Sequence, residues 1–151
     1  MKRITDYSGF STDTGFVHRL LDEWTPTSFS ISEKQHEDAL NAWLRTQLPD
    51  VPMIAQYGIA KGKADLVIED CHVIELKLGF EYDSVAEFDR CLGQLERYRQ
   101  KWVKKERGPV YLVLVGDCDS EFRDLLHTWF KEANEPYFIQ RFHLIEKRPG
   151  R

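Results

Sequence analysis

The sequence predicts a single α/β domain, a mixed β-sheet flanked by helices. Three observations carry that expectation. Short apolar runs rich in β-branched residues alternate with longer stretches whose apolar residues recur at three- and four-residue spacing. Two of the short runs, Ala64–Ile68 and His72–Leu78, flank the polar pair Glu69-Asp70 and read as a β-hairpin. The run Val110–Val115 is apolar throughout, which marks a strand buried on both faces, and a long helical segment precedes it. A helical crossover of that kind permits parallel pairing.

In chain order, residues 1–11 are polar and are expected to form a loosely held lead-in. Phe16, Val17, Leu20, Leu21 and Trp24 then fit a short amphipathic helix starting near Thr12 or Asp13, closed by Thr25-Pro26. Ser30–Glu33 and Ser32–Gln35 both fit a capping box opening a second helix, which runs to about Leu48 with Leu40, Trp43, Leu44 and Leu48 inward. Met53–Tyr57 reads as a strand, Gly58–Lys63 as a glycine-bearing turn, and the hairpin comes next. A helix is expected from about Ser84 to Glu106, stopped by Gly108-Pro109. After the buried strand come a helix over Asp119–Ala133 and a strand over Tyr137–Ile145. The order is α-α-β-β-β-α-β-α-β.

The chain has 151 residues, 42% hydrophobic and 30% charged, the composition of a folded domain rather than a disordered one. No apolar run approaches the roughly 18 residues of a membrane span, and the basic start Met1-Lys2-Arg3 leads into polar residues rather than a secretory signal. Cys71, Cys91 and Cys118 are odd in number and widely spaced, which argues against a disulfide scaffold and for a reducing, cytoplasmic setting. The formal charge of −4 means that any nucleic-acid contact needs a local basic surface. The five histidines lack metal-ligand spacing, and no G-x-S-x-G, P-loop or G-x-G-x-x-G occurs.

The chemistry concentrates in Gly62–Lys77. Strand side chains alternate faces, so Glu75 and Lys77 point one way while Ile74, Leu76 and Leu78 point the other. A three-residue loop, Glu69–Cys71, sets a register in which Asp65 lies directly across from Glu75. Opposed pairs have Cβ atoms roughly 4.5–5.5 Å apart, and two carboxylates at that distance repel unless a cation sits between them. Mg²⁺ or Mn²⁺ takes oxygen ligands and needs only one or two carboxylates from the protein. Asp65 and Glu75 suit that count, the Leu76 carbonyl adds a third ligand, and Lys77 can offset charge on a phosphate. A lone E-x-K on a strand is more often a surface ion pair; the nearby Asp65 is what shifts the balance.

On the long helix, at about 100° per residue, Val85, Phe88, Leu92, Leu95, Trp102 and Val103 fall on one side and form the expected core face. Gln94, Tyr98, Lys101 and Lys105 form a stripe beside it. Arg97–Arg107 carries six basic residues against one Glu, the densest positive run in the chain. Arg97, Lys101, Lys104 and Lys105 there suit a phosphate track with an adjacent stacking aromatic, although a solvated helix face explains the same charges.

Gly62-x-x-Asp65, Glu75-x-Lys77 and Gln94-x-x-x-Tyr98, in that order, resemble the signature of the PD-(D/E)XK nuclease superfamily, and most closely its RecB-type branch. The resemblance covers about residues 30–115. It implies a restriction-endonuclease-like αβββαβ core, here with an extra N-terminal helix and a C-terminal αβ unit. It also implies a Mg²⁺- or Mn²⁺-dependent deoxyribonuclease in which Asp65 and Glu75 bind metal and Lys77 is catalytic. The family commonly adds a glutamate from the helix before the sheet. Glu33 and Glu37 are both candidates; Glu37 is preferred because it sits deeper in the helix, and Glu33 is read as a capping-box residue. Gln94 and Tyr98 would shape the site. Four cluster-binding cysteines found in some RecB-type nucleases are missing here. A separate recognition or helicase domain is not expected in this length, so sequence recognition is either absent or supplied by a partner protein, and a homodimer is the expectation for a junction-resolving enzyme. A junction-resolving endonuclease and a non-catalytic DNA- or protein-binding module on the same scaffold are the competing expectations.

Overall fold

The computed structural model describes residues 13–149; the expected lead-in over residues 1–11 lies outside them. The elements are α1 (Thr14–Glu23), α2 (Glu33–Gln47), β1 (Met53–Ile59), β2 (Gly62–Ile68), β3 (His72–Leu78), α3 (Val85–Tyr98), β4 (Val110–Val115), α4 (Ser120–Asn134) and β5 (Phe142–Lys147). A π-helical turn, Arg99–Val103, continues α3. The five strands form one mixed sheet in the order β1-β2-β3-β4-β5. β1, β2 and β3 pair antiparallel, and β3-β4 and β4-β5 pair parallel. The two parallel steps are the ones bridged by helices, α3 and α4, as chain reversal demands.

Helices cover both faces of the sheet. Val17, Leu20 and Leu21 of α1 and Leu40 and Leu44 of α2 bury Leu66, Ile68, Ile74, Leu76, Tyr111 and Val113 on one face. Phe88, Leu95 and Tyr98 of α3 and Phe122, Leu126 and Phe130 of α4 bury Val67, Val73, Leu112 and Leu114 on the other. β4 contributes to both cores in alternation, which is why its sequence is apolar throughout. The first two helices begin as local chemistry dictates. Asp13 Oδ1 accepts the Phe16 amide at 2.7 Å. Of the two candidate capping boxes, Ser32–Gln35 forms, with both reciprocal bonds present.

Three sequence expectations change here, the first being the last strand, expected over Tyr137–Ile145 and observed over Phe142–Lys147. β1 continues through Gly58 to Ile59, and the turn shrinks to Ala60-Lys61, because Gly58 and Ile59 still pair with Lys63 and Gly62. The long helix is not uniform. Its α-helical part ends at Tyr98, and the wider π-turn changes the angular phase, so a constant 100° rotation misplaces the residues beyond Tyr98. The buried side of α3 is Phe88, Cys91, Leu95 and Tyr98, while Val85 is exposed. The π-turn brings in Trp102, whose indole N–H donates to the Cys71 carbonyl at 2.9 Å and whose ring lies under Arg107. Among the described residues no helix is long and apolar enough to cross a membrane.

Candidate functional site

The β2-β3 hairpin has the expected three-residue loop, with Ile68↔His72, Val67↔Val73 and Leu66↔Ile74 in register. The ladder stops at Leu66↔Ile74, however, so Asp65 is not a ladder partner of Glu75 on a shared face. The reason lies one strand away. The β1-β2 pairing skips Gln56–Asp65 between Ala55↔Leu66 and Tyr57↔Ala64, and Gln56 has φ +54°. Ala64 packs into the α3/α4 core while Leu66 packs into the α1/α2 core, so side-chain alternation slips at Asp65. The kinked strand leaves room for the Asp65 carboxylate to enter the ladder itself, where Oδ2 accepts the Leu76 amide at 2.8 Å. In a strand, N–H and C=O of one residue point to the same edge; the Leu76 carbonyl therefore also faces the gap that Asp65 opens.

Glu75 is almost fully buried. Its Oε1 accepts the Tyr98 hydroxyl at 2.6 Å, and its Oε2 stands 3.6 Å from Lys77 Nζ. Gln94 lies one helical turn before Tyr98 on α3, and the Tyr98 hydroxyl also lies 3.5 Å from the Lys63 carbonyl. Burial drives the Glu75 carboxyl upward, opposed by Tyr98, by Lys77, and by the backbone and side chain of Asp65. Burial, then the Glu75 charge, pushes Asp65 up to about 7 despite the Leu76 amide and Lys77. Two neighbouring buried acids disfavour the state in which both are charged, and a bound cation would remove that cost. Lys77 behaves oppositely. Burial works against its charge, but Glu75, Glu33 and Asp65 outweigh that and hold it above the ordinary lysine range, so it stays an ammonium.

The two helix glutamates part company. Glu37 lies beside Asp65 in a small cleft with Gln56 and Leu76, and its Oε1 accepts the Gln56 amide at 3.2 Å. Burial and the Asp65 charge push Glu37 up to about 7. Glu33 is not the capping-box residue. It is the first residue of α2, and its carboxylate accepts the Leu78 amide at 3.2 Å, next to Lys77. The apolar spacing of α2 ranked the two glutamates by depth, and depth does not reveal which one reaches the end of β3.

The residues with oxygen donors toward the gap are Asp65, Glu75 and the Leu76 carbonyl. This all-oxygen set fits Mg²⁺ or Mn²⁺ rather than a soft metal. Among the described residues no three His, Cys, Asp or Glu side chains gather closely enough to form a cage, so Glu37 would reach such an ion only through water.

The basic run divides. Arg97 is half-buried, and its guanidinium lies over Gly62, where a Cβ would come within 2.7 Å of Nη1. The glycine of the Gly62-x-x-Asp65 motif is thus a site of close approach. Lys101, Lys104 and Lys105 are exposed on and after the π-turn. The chain there descends toward the hairpin loop, where Arg107 pairs with Asp70 at 3.0 Å. The π-turn changes the angular phase after Tyr98, so a uniform rotation of about 100° per residue does not place Lys101 and Lys105 relative to Gln94 and Tyr98. Sequence reasoning missed Gln56; the signal was its position opposite Asp65 once the β1-β2 hairpin is drawn. Comparison with protein-family models, with curated proteins and with solved structures finds no match to this chain.

Proposed function

We propose that this protein is a Mg²⁺- or Mn²⁺-dependent deoxyribonuclease of the PD-(D/E)XK type, built on that superfamily's αβββαβ core. The observation that carries the reading is the pair of carboxylates, Asp65 and Glu75, held against each other beneath one lysine at a kink in the sheet. A sheet gains nothing from two repelling acids in this position, so the arrangement makes sense as a cation site.

Asp65, Glu75 and the Leu76 carbonyl would hold the ion, with Glu37 placed for a water-mediated contact. When bound, the metal would polarise the scissile phosphate and acidify a water. The Tyr98 hydroxyl fixes one oxygen of Glu75, so the Glu75 carboxylate is held in place before substrate arrives, and Gln94, one helical turn away, would help to shape the site. Lys77 keeps its proton and therefore acts as a fixed positive charge beside the phosphate rather than as a base. Glu33, whose carboxylate accepts the Leu78 amide, adds a negative charge that favours the Lys77 ammonium.

Incubation of wild type and Lys77→Ala with plasmid and single-stranded DNA, in Mg²⁺, Mn²⁺ or EDTA, tests the reading. Wild type should cleave only with metal, and Lys77→Ala should lose on the order of 10²-fold or more. Equal cleavage by the two proteins, or activity that survives EDTA, refutes it.

A further inference from the structure

Within β1, Gln56 alone has a left-handed backbone, φ +54°. A side chain other than glycine is strained at such an angle, and strain that persists inside a strand points to a task performed there. Burial does not account for it, because Gln56 is exposed. An inserted residue does not either, since Ala55↔Leu66 and Tyr57↔Ala64 belong to one continuous register. What the angle changes is direction. Side chains of a regular strand alternate, so Gln56 would point away from the face that Ala55 occupies. Instead Ala55 and Gln56 both line the small cleft beside α2, and Asp65 and Leu66 do the same from the facing strand. There the Gln56 amide donates to Glu37 Oε1 at 3.2 Å. The other polar groups that α2 brings to the cleft are engaged elsewhere. Lys34 pairs with Asp38 at 3.0 Å, and Asn41 accepts from Arg45 at 2.6 Å. Among the described residues, Gln56 is the hydrogen-bond donor to Glu37.

We infer that Gln56 is a positioning residue for the cation site: its kinked backbone aims the amide at Glu37, holding one oxygen of that carboxylate and leaving the other for a metal-bound water. The inference rests on the proposed function for the presence of the ion. A glutamate side chain gives up much rotamer freedom when it is ordered. A carboxylate already held when the ion arrives avoids that cost at the moment of binding. The amide is also neutral, so it orders Glu37 without cancelling the charge that the cation needs. The strain at Gln56 is then explained, because only a left-handed turn of the strand carries this side chain to the α2 face.

The test measures metal binding separately from turnover. Isothermal titration with Mn²⁺, without DNA, compares wild type, Gln56→Gly, Glu37→Ala and the double variant. Glycine adopts the left-handed backbone readily, so Gln56→Gly keeps the kink that admits Asp65 and removes only the amide. Thermal unfolding in EDTA checks this, and the midpoint of Gln56→Gly should equal or exceed that of wild type. Gln56→Gly should weaken Mn²⁺ binding by about tenfold, and Glu37→Ala by at least as much. The double variant should bind no more weakly than Glu37→Ala alone, because the amide acts only through that carboxylate. Unchanged Mn²⁺ affinity in Gln56→Gly overturns the inference. So does a further loss when Gln56→Gly is added to Glu37→Ala, or a loss that comes with a lowered midpoint in EDTA. Wild type that binds Mn²⁺ and cleaves DNA beside an unaffected Gln56→Gly leaves the nuclease and removes this inference alone. Wild type that takes up no Mn²⁺ removes the metal-dependent reading, and this inference with it.

Discussion

Replacing Asp65 with Asn removes one of the two opposed charges while keeping the oxygen that accepts the Leu76 amide. Folding moves the Asp65 carboxyl from its ordinary 3.8 to about 7, through burial first and the Glu75 charge second. The native state therefore holds more protons than the unfolded chain between those values. Stability falls as pH rises through that window, and the deficit is complete above pH 7. Three pH units at about 1.4 kcal/mol each set an upper bound of roughly 4 kcal/mol. Solvent at the partly open edge of the pair reduces this to about 2 kcal/mol. In EDTA at pH 8, Asp65→Asn should thus raise the midpoint of thermal unfolding by roughly 4–8 °C, and at pH 4.5 the gain should vanish. Saturating Mn²⁺ should reverse the order at pH 8, because an ion at about 100 times its Kd adds about 2.7 kcal/mol to wild type and much less to the variant. Differential scanning calorimetry with and without Mn²⁺ at both pH values reads all four numbers. A destabilised Asp65→Asn in EDTA at pH 8, or equal stabilisation of both proteins by Mn²⁺, refutes the electrostatic reasoning.

Tyr98→Phe removes the donor to a buried carboxylate and should cost about 1–3 kcal/mol at pH 8, with a smaller loss at acid pH because burial raises the Glu75 carboxyl and favours its neutral form; chemical denaturation at pH 8 and in acid measures the difference. Trp102→Ala empties a fully buried site and abandons the Cys71 carbonyl, so the urea midpoint should fall by the equivalent of about 3–5 kcal/mol with the slope unchanged. His143 is buried, 2.8 Å from His18 and stacked on Tyr111. Burial, then the His18 charge, pushes it down to about 4. Its contribution is present above pH 6.5 and lost as pH falls toward 4, an amount of about 3 kcal/mol. His143→Gln should flatten that acid limb, and urea titrations from pH 7 to pH 4 would show whether it does.

The order and type of the elements were legible because the apolar pattern responds to burial, and burial here is simple. β4 lies between two helical layers and is apolar at every position, whereas β3 is apolar on one face and carries Glu75 and Lys77 on the other. The loop length at Glu69–Cys71 came from polarity alone and sets the hairpin register. Periodicity fails where the backbone leaves ideal geometry. The π-turn after Tyr98 changes the phase of everything beyond it, so a uniform rotation no longer places Lys101 and Lys105.

Which residues carry the charge is already written in the chain. Asp65, Glu75, Lys77 and Arg97 are visible as residue types at telling intervals, and the strand period puts Glu75 and Lys77 on one face. How they meet depends on the packed fold. Asp65 reaches the Leu76 amide because β1 and β2 kink together at Gln56 and Asp65, a distortion that depends on pairing between strands and has no local signal in either one. Glu33 rather than Glu37 touches the end of β3 because of where α2 crosses the sheet. Arg97 lies close over β2 because Gly62, far earlier in the chain, has no side chain to displace it. Each of these contacts joins elements distant in sequence, and the energy that selects them comes from packing the sheet against its helices rather than from any single segment.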